Sequence, residues 1–234
     1  MPNRTSASAR RTSTRRNAPT VDVVMLTPHG RRLSVLLQRV EGGKSKERWA
    51  LPWEAMRADE SIEESAARIA RNALGSAPSL VEQVAAYGDG RRHPSGAPLS
   101  VAFLALVAAG GPASLGGATA WFPIDDVPPI APRQRAMLDG ALDAVRARLE
   151  QAPVAFRLLP ATFTLSELQE IYEILLGRRL HKASFRRALH AAWLVEPTDE
   201  WRSEGRGRPA QLFRYAPKKR RSSRRGVRFE GVEL

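Results

Sequence analysis

The chain contains no cysteine, which excludes a disulfide framework, a thiol nucleophile and any cysteine-ligated zinc site. It also lacks an uninterrupted apolar run of the roughly 18 residues that a membrane-spanning helix needs. The N-terminus is basic but carries no apolar core of the kind a secretory signal requires. A cytoplasmic protein with no membrane partner is the expectation. At 234 residues and 43% hydrophobic content, the chain suits one large or two small domains.

The net charge of +13 is unevenly placed. Residues 1–20 hold five arginines and no acid, and residues 217–234 hold seven Lys/Arg against two Glu. Residues 151–216 are mildly basic, and residues 21–150 are net neutral. A neutral body therefore precedes a basic one, with a basic arm at each end, a pattern that favours attraction to a polyanion. Solubilising tails are the plainer alternative.

Residues 1–19 have too little apolar content to pack and are expected to be disordered, as is the basic tail at 217–234. Apolar, β-branched runs at 21–26 and 33–40 around Thr27-Pro28-His29-Gly30 read as a hairpin. Residues 41–47 read as a polar loop. Ser61 can cap a helix with Glu64 at the capping-box position, and Ile62, Ala66, Ile69, Ala70 and Ala73 lie at helical spacing for packing on a sheet. Further strands are expected at 80–87 and 99–107, then a loop at 108–118 and a connecting helix over 134–149. Strands interleaved with helices give a compact α/β domain over 20–150.

Residues 151–216 have a different pattern. Thr164-Leu165-Ser166-Glu167 is a capping box that opens a helix ending at Gly177. A second helix runs from about Lys182 to Trp193. A short strand is expected at 194–196 and a hairpin over 201–215, with its tip at Ser203-Glu204-Gly205-Arg206-Gly207-Arg208-Pro209. Two helices and a basic hairpin in this order make a winged helix-turn-helix. In the second helix Phe185, Leu189, Ala192 and Trp193 share the face expected to be core. Lys182, Arg186 and His190 share another, with Ala183, Ser184 and Arg187 beside them. Such a face suits a major groove, because the cations meet phosphates and arginine pairs with guanine edges. Arg206 and Arg208 would reach the flanking backbone or minor groove from the hairpin tip. An ordinary solvated basic face is the plainer alternative.

Leu51-Pro52-Trp53-Glu54-Ala55-Met56-Arg57-Ala58-Asp59-Glu60-Ser61-Ile62-Glu63-Glu64 resembles the start of a Nudix box. Anchored on Glu60, that pattern also places Arg68 and Gly75 in register. Its first glycine falls on Glu54, and its remaining carboxylates fall on Ile69, Asn72 and Ala73. Those carboxylates hold divalent cations that neutralise a pyrophosphate and activate water, work that Ile, Asn and Ala cannot do. The expectation is no catalytic residue, no metal and no cofactor; Glu60, Glu63 and Glu64 more plausibly serve the helix dipole.

The whole of residues 20–216 resembles the Nudix-related transcriptional regulators, best known as repressors of NAD-metabolism operons. The likeness is carried by Ala155-Phe156-Arg157-Leu158-Leu159-Pro160, Tyr172-Glu173, Phe185-Arg186-Arg187, Glu196-Pro197 and Gly205-Arg206-Gly207-Arg208-Pro209-Ala210. In the first half it rests on Leu36-Leu37-Gln38-Arg39 and Trp49-Ala50-Leu51-Pro52. The resemblance implies an α+β fold: a Nudix-like α/β/α sandwich followed by a winged helix, with ADP-ribose or a related metabolite releasing DNA. It also implies a homodimer on a double-stranded DNA operator. The chain departs from the family where Trp53-Glu54 replaces Gly-Gly and where Ala131-Pro132-Arg133-Gln134 replaces Ala-Phe-Asp-His. Candidate effector contacts are Arg39, Arg57, Arg91 and Arg92 for an anionic group, with His93 nearby. Trp49 or Trp53 would stack on a ring. A nucleotide pyrophosphatase and a non-sequence-specific nucleic-acid binder driven by the basic arms remain the rival readings.

Overall fold

The computed structural model describes residues 18–40, 49–108, 118–149, 153–203 and 209–216. The expectations for the basic arms, for the loops at 41–47 and 109–117 and for the hairpin tip at 204–208 lie outside these residues. The described residues divide into two compact units. Those within 1–26, 34–106 and 111–142 form one, and those within 27–33, 107–110 and 143–234 the other.

The first unit is organised by a mixed sheet of seven strands. β1 (Thr20–His29) and β6 (Ser100–Leu106) are its centre, running parallel in register from Thr20 opposite Ser100 to Leu26 opposite Leu106. Both are buried along almost their whole length, as continuous apolar runs covered on both faces must be. β5 (Leu80–Tyr87) lies antiparallel to β6 with a register shift between Gln83 and Ala85. On the other side of β1 comes β2 (Arg32–Arg39), which pairs with β3 (Trp49–Ala50) and β7 (Thr119–Pro123). β4 (Trp53–Ala55) pairs antiparallel with the start of β1, placing Trp53 opposite Asp22 and Glu54 opposite Val21.

The hairpin expected around residues 27–30 is present, but its strands are longer than their apolar runs. They leave only Gly30-Arg31 to turn, and Gly30 adopts φ 58°, the region glycine enters without steric cost. β3, β4 and β7 were not anticipated: they are two to five residues long and have too few positions to display a period.

Helix α1 (Ile62–Leu74) begins as its sequence dictates. Glu64 N–H donates to Ser61 Oγ at 3.2 Å, and Ser61 N–H donates to Glu64 Oε2 at 2.8 Å. This closed capping box uses two of the donors that a helix start leaves unpaired. Its buried face is Ser65, Ala66, Ile69, Ala70 and Leu74. Ile62 and Ala73, expected in that face, lie in the terminal turns and are only half-buried. Helix α2 (Pro132–Leu149) buries Gln134, Met137, Leu138, Ala141, Val145 and Leu149 at helical spacing.

The second unit has the expected winged-helix order. A 3-10 helix (Val154–Leu158) and β8 (Thr162–Phe163) lead into α3 (Leu165–Leu176), α4 (Lys182–Ala192), β9 (Val195–Arg202) and β10 (Ala210–Tyr215). The sheet order is β8-β10-β9. Its core joins Leu168, Tyr172 and Leu175 of α3 to Phe185 and Leu189 of α4, with the Tyr172 and Phe185 rings edge-on at 5.5 Å. Burial pushes the Tyr172 phenol up from its ordinary pKa.

Two expectations are corrected here. Trp193, placed in the core face of α4, is 50% exposed. It adopts φ 52°, so the chain leaves the helix at that residue and Leu194 is buried instead. The short strand at 194–196 and the hairpin arm starting at Trp201 are one continuous strand, β9. Pro197 does not interrupt it, because β9 is the edge of its sheet and one side needs no N–H.

Close packing in the first unit depends on one glycine. A Cβ at Gly140 would lie 2.4 Å from Tyr87 Oη, whose hydroxyl donates to the Ala136 carbonyl at 3.4 Å. Alanine is intrinsically better than glycine in a helix by about 1 kcal/mol, whereas overpacking costs roughly 1–3 kcal/mol. Gly140→Ala is therefore expected to destabilise the wild-type chain but to stabilise a Tyr87→Phe background. Urea unfolding of the four variants reads the change of sign.

Candidate functional site

Three groups of residues stand out, two in the first unit and one in the second. The first is a buried polar network around Asp22, whose side chain is fully buried. Asp22 Oδ1 accepts from His93 Nε2 at 2.8 Å and from Gln134 Nε2 at 2.8 Å, and Asp22 Oδ2 accepts from the Thr20 hydroxyl at 2.9 Å. His93 Nδ1 accepts from the Ser95 N–H at 3.2 Å and lies 2.7 Å from Ser95 Oγ, so a single imidazole tautomer meets both sides. Thr20 and Ser100, register partners on β1 and β6, share a hydroxyl hydrogen bond of 2.7 Å. Arg133 Nη1 lies 3.4 Å from Ser100 Oγ and donates to the Ala97 carbonyl at 2.6 Å. Gln134 also bonds both backbone groups of Leu51.

This network relocates two sequence features. His93, noted only as lying beside the candidate arginines of its loop, is buried against Asp22 with Trp53 edge-on at a ring separation of 5.1 Å. Arg133 and Gln134, read only as departures from the family pattern, hold the start of α2 to the sheet. Sequence reasoning missed Asp22. An acid at the third position of an otherwise apolar strand was the available signal, since such a residue needs buried partners.

The second group is the altered box. Arg68 donates to Glu60 Oε2 through Nε at 3.0 Å and to Glu60 Oε1 through Nη2. Its Nη1 donates to Glu54 Oε2 at 2.6 Å. Arg57 Nη2 reaches the same Glu54 oxygen at 3.1 Å, and its Nε lies 3.9 Å from Glu60 Oε1. The Arg68 guanidinium, with the Ser65 hydroxyl, holds Glu60 down at about 2. Two carboxylates and two guanidiniums thus neutralise one another. These residues do not fit a divalent cation. Glu54 and Glu60 are bound to arginine and Glu64 closes the capping box, while Ile69 is buried, Asn72 is exposed and Ala73 is half-buried. No cluster of three potential ligands occurs among the described residues.

The remaining effector candidates are partly brought together. Arg39 stacks over Trp49 at 5.5 Å, and Trp49 meets Phe122 edge-on at 4.8 Å. Arg57 belongs to the box cluster. Arg91 is half-exposed and pairs with Asp89 at 3.3 Å. Arg92 is exposed, and its carbonyl accepts from the Arg133 N–H at 3.1 Å.

The third group is the helix-turn-helix. Glu173 Oε1 accepts from the Leu180 N–H at 3.0 Å and from Gln169 Nε2 at 2.9 Å, and Gln169 Nε2 also reaches the Leu180 carbonyl at 2.9 Å. Gly177, at φ 69°, ends α3. The turn is clasped, so the direction of α4 is set. On α4 the side chains of Lys182, Arg186, Arg187 and His190 are exposed. Ser184 is half-buried and accepts from Arg187 Nη2 at 3.3 Å. None of Lys182, Arg186, Arg187 and His190 pairs with a carboxylate among the described residues. The hairpin arginines differ. Arg202 Nη1 donates to Glu167 Oε1 at 2.6 Å, and Arg214 Nε donates to Glu196 Oε1 at 2.5 Å. Arg206 and Arg208 lie outside the described residues.

Comparison with known proteins matches the Nudix domain family over residues 16–140 and the NrtR DNA-binding winged helix domain family over residues 155–215. The chain is 30% identical over 204 residues to an ADPR responsive transcriptional repressor, NtrR, of Acinetobacter baylyi, covering 84% of this chain and 81% of that protein. Among solved structures it is similar to Shewanella oneidensis NrtR complexed with a 27mer DNA. The TM-score there is 0.73 at 29% identity, over 85% of this chain and 93% of that one. A MutT/nudix family protein from Enterococcus faecalis shares the fold at TM-score 0.70 and 20% identity, over 91% and 95% of the two chains.

If Asp22 organises the first unit, Asp22→Ala removes the buried acceptor of His93 and Gln134, while Thr20 keeps its hydroxyl bond to Ser100. Unpaired buried donors cost about 1–3 kcal/mol each, so a loss of roughly 3 kcal/mol or more is expected in chemical denaturation. Asp22→Asn should recover much of it, because the amide oxygen can still accept from His93 and Gln134 while the amide N–H2 donates to the Thr20 hydroxyl oxygen, which in turn donates to Ser100.

Proposed function

The chain belongs to the family in which a Nudix domain precedes an NrtR DNA-binding winged helix, and from that premise we propose that it is a sequence-specific transcriptional repressor whose Nudix domain senses ADP-ribose or a related metabolite. The observation that supports DNA binding best is the exposed face of α4. Lys182, Arg186, Arg187 and His190 stand there without carboxylate partners among the described residues, on a helix whose approach is fixed by the Glu173 clasp. In this reading Arg186 and Arg187 read base edges and nearby phosphates, while Lys182, Ser184 and His190 complete the surface. Arg206 and Arg208 act from the wing, and the basic arms add affinity more than sequence preference.

The sensor is taken as residues 20–150 and the winged helix as 151–216. Arg39, Trp49, Arg57, Arg91 and Arg92 are its proposed effector contacts, with the Arg39–Trp49 stack suited to a ring and the remaining arginines to an anion. The domain is catalytically silent, since Ile69, Asn72 and Ala73 supply none of the carboxylates a metal-activated hydrolysis requires. A homodimer on a two-fold operator multiplies the affinity of one winged helix. A cytoplasmic location follows from a target on chromosomal DNA.

A binding selection on random duplex DNA, at roughly physiological salt to suppress tail-driven binding, supplies the operator for the test. The wild type is expected to enrich a two-fold symmetric motif, and ADP-ribose to weaken that complex. Arg186→Ala with Arg187→Ala should abolish the preference, at about 1–3 kcal/mol per lost base contact. Enrichment of no motif, or a double variant with an unchanged footprint, overturns the assignment.

A further inference from the structure

We infer that Glu54 is an internal occupant of an anion-binding site formed by Arg57 and Arg68, and that an effector phosphate or pyrophosphate binds there by displacing it, without a metal ion. The inference rests on reading the first unit as a sensor and names the chemistry that one part of it recognises. Arg68 has five N–H donors on a planar fork. Glu60 engages Nε and Nη2, which leaves Nη1 directed at Glu54 Oε2, 2.6 Å away. Arg57 Nη2 approaches that same oxygen at 3.1 Å. One carboxylate oxygen therefore sits where two guanidinium edges converge, the arrangement by which arginines hold a phosphate oxygen.

The charges support exchange. With Glu54 in place, Arg57 and Arg68 are balanced by Glu54 and Glu60. Without it, one positive charge remains over a preformed pair of donors. Arg68 and Glu60 are held beneath, their side chains 19% and 15% exposed, whereas Arg57 and Glu54 are 52% and 35% exposed. The Arg57–Glu54 pair is open and worth little net free energy in water, and the closer Arg68 Nη1–Glu54 bond at 2.6 Å is one that an incoming phosphate oxygen remakes in kind. Glu54 is carried on the short strand β4, whose pairing with β1 fixes its Cα opposite Val21, so the displaced side chain needs only to rotate away. In the Nudix pattern this position is glycine, which has no carboxylate to compete. The substitution would thus weaken anion binding and raise the concentration at which the effector acts.

The test uses the full chain and calorimetry in EDTA, with inorganic pyrophosphate and ADP-ribose as separate probes. Glu54→Gln keeps the shape of the side chain and removes its charge. It is expected to bind pyrophosphate at least about tenfold more tightly than the wild type, the scale of one charge-assisted hydrogen bond. Arg57→Gln in the Glu54→Gln background should erase the gain, and added magnesium should not enlarge it. Glu54→Gly provides a second route to the same unmasking, and an unchanged denaturation midpoint shows that either variant is folded. A gain for both probes assigns the site to the anhydride of a nucleotide sugar; a gain for pyrophosphate alone supports the anion site and removes the nucleotide sugar as its source. Equal affinity of the variants and the wild type for pyrophosphate, or a gain that survives loss of Arg57, overturns the inference. If Glu54→Gln binds pyrophosphate more tightly but neither probe affects operator binding, the sensor reading fails and the anion site stands.

Discussion

A carboxylate with no access to water must find hydrogen-bond donors inside the protein, and in the first unit that requirement falls on Asp22. Burying it unpaired would cost far more than a small domain can spare. Besides its neighbour Thr20, its partners are consequently drawn from distant parts of the chain: His93 from the loop before β6, and Gln134 from the first turn of α2. Gln134 then reaches the backbone of Leu51, just before β4. Apolar burial alone tolerates slippage of one element over another, whereas these bonds have fixed lengths and directions. They set where α2 starts, where the His93 loop returns and how β4 lies along β1. The position of Glu54, and with it the altered box, depends on that arrangement.

The box itself is a frame held together without metal ligands at Ile69, Asn72 and Ala73. Glu60 and Arg68 hold the start of α1 through a two-pronged ion pair, and the capping box at Ser61 and Glu64 closes the same turn. Neither interaction needs a metal. The positions that would have supplied metal ligands have instead taken the character of their surroundings. Ile69 joins the buried face of α1, while Asn72 faces solvent. Helix, cap and ion pair therefore persist on structural grounds alone, and their survival is no argument for hydrolysis.

Much of this was legible in the sequence, for identifiable reasons. The helix starts at Ser61 and Thr164 were readable because capping is a local interaction between residues three apart, and both boxes close as expected. The exposed face of α4 was readable from helical periodicity. What escaped were features decided by residues far away in the chain. Asp22 looks like a lone acid in an apolar strand until His93 and Gln134 are brought to it, and those contacts span 71 and 112 positions. Trp193 looks like a core residue because it continues the period of Phe185 and Leu189, and only its backbone at φ 52° takes it out of that face. Pro197 reads as a strand breaker until the strand proves to be an edge. The pairing of Glu54 with Arg57 and Arg68 was also hidden, since sequence spacing does not say which acid an arginine will choose.

Two sets of basic residues contrast among the described ones, and the contrast bears on function more directly than the net charge does. Arg68, Arg202 and Arg214 each meet a glutamate at hydrogen-bonding distance, in geometries that tie one element to another. The Arg68 and Arg202 bonds are part-buried and the more costly to lose, whereas Arg214 is 63% exposed and contributes little. Lys182, Arg186 and Arg187 meet no acid among the described residues, although the same unit contains Glu167, Glu173 and Glu196, all already engaged elsewhere. A like-charge cluster on one helix face is mildly unfavourable for the isolated helix and contributes nothing to its packing. Its cost is offset only when an anion of matching spacing is present, and the phosphates of a duplex groove supply such an anion along the length of an exposed helix. Folding alone therefore gives the cations on α4 no reason to be there, which is why the proposed DNA contact is placed on that face.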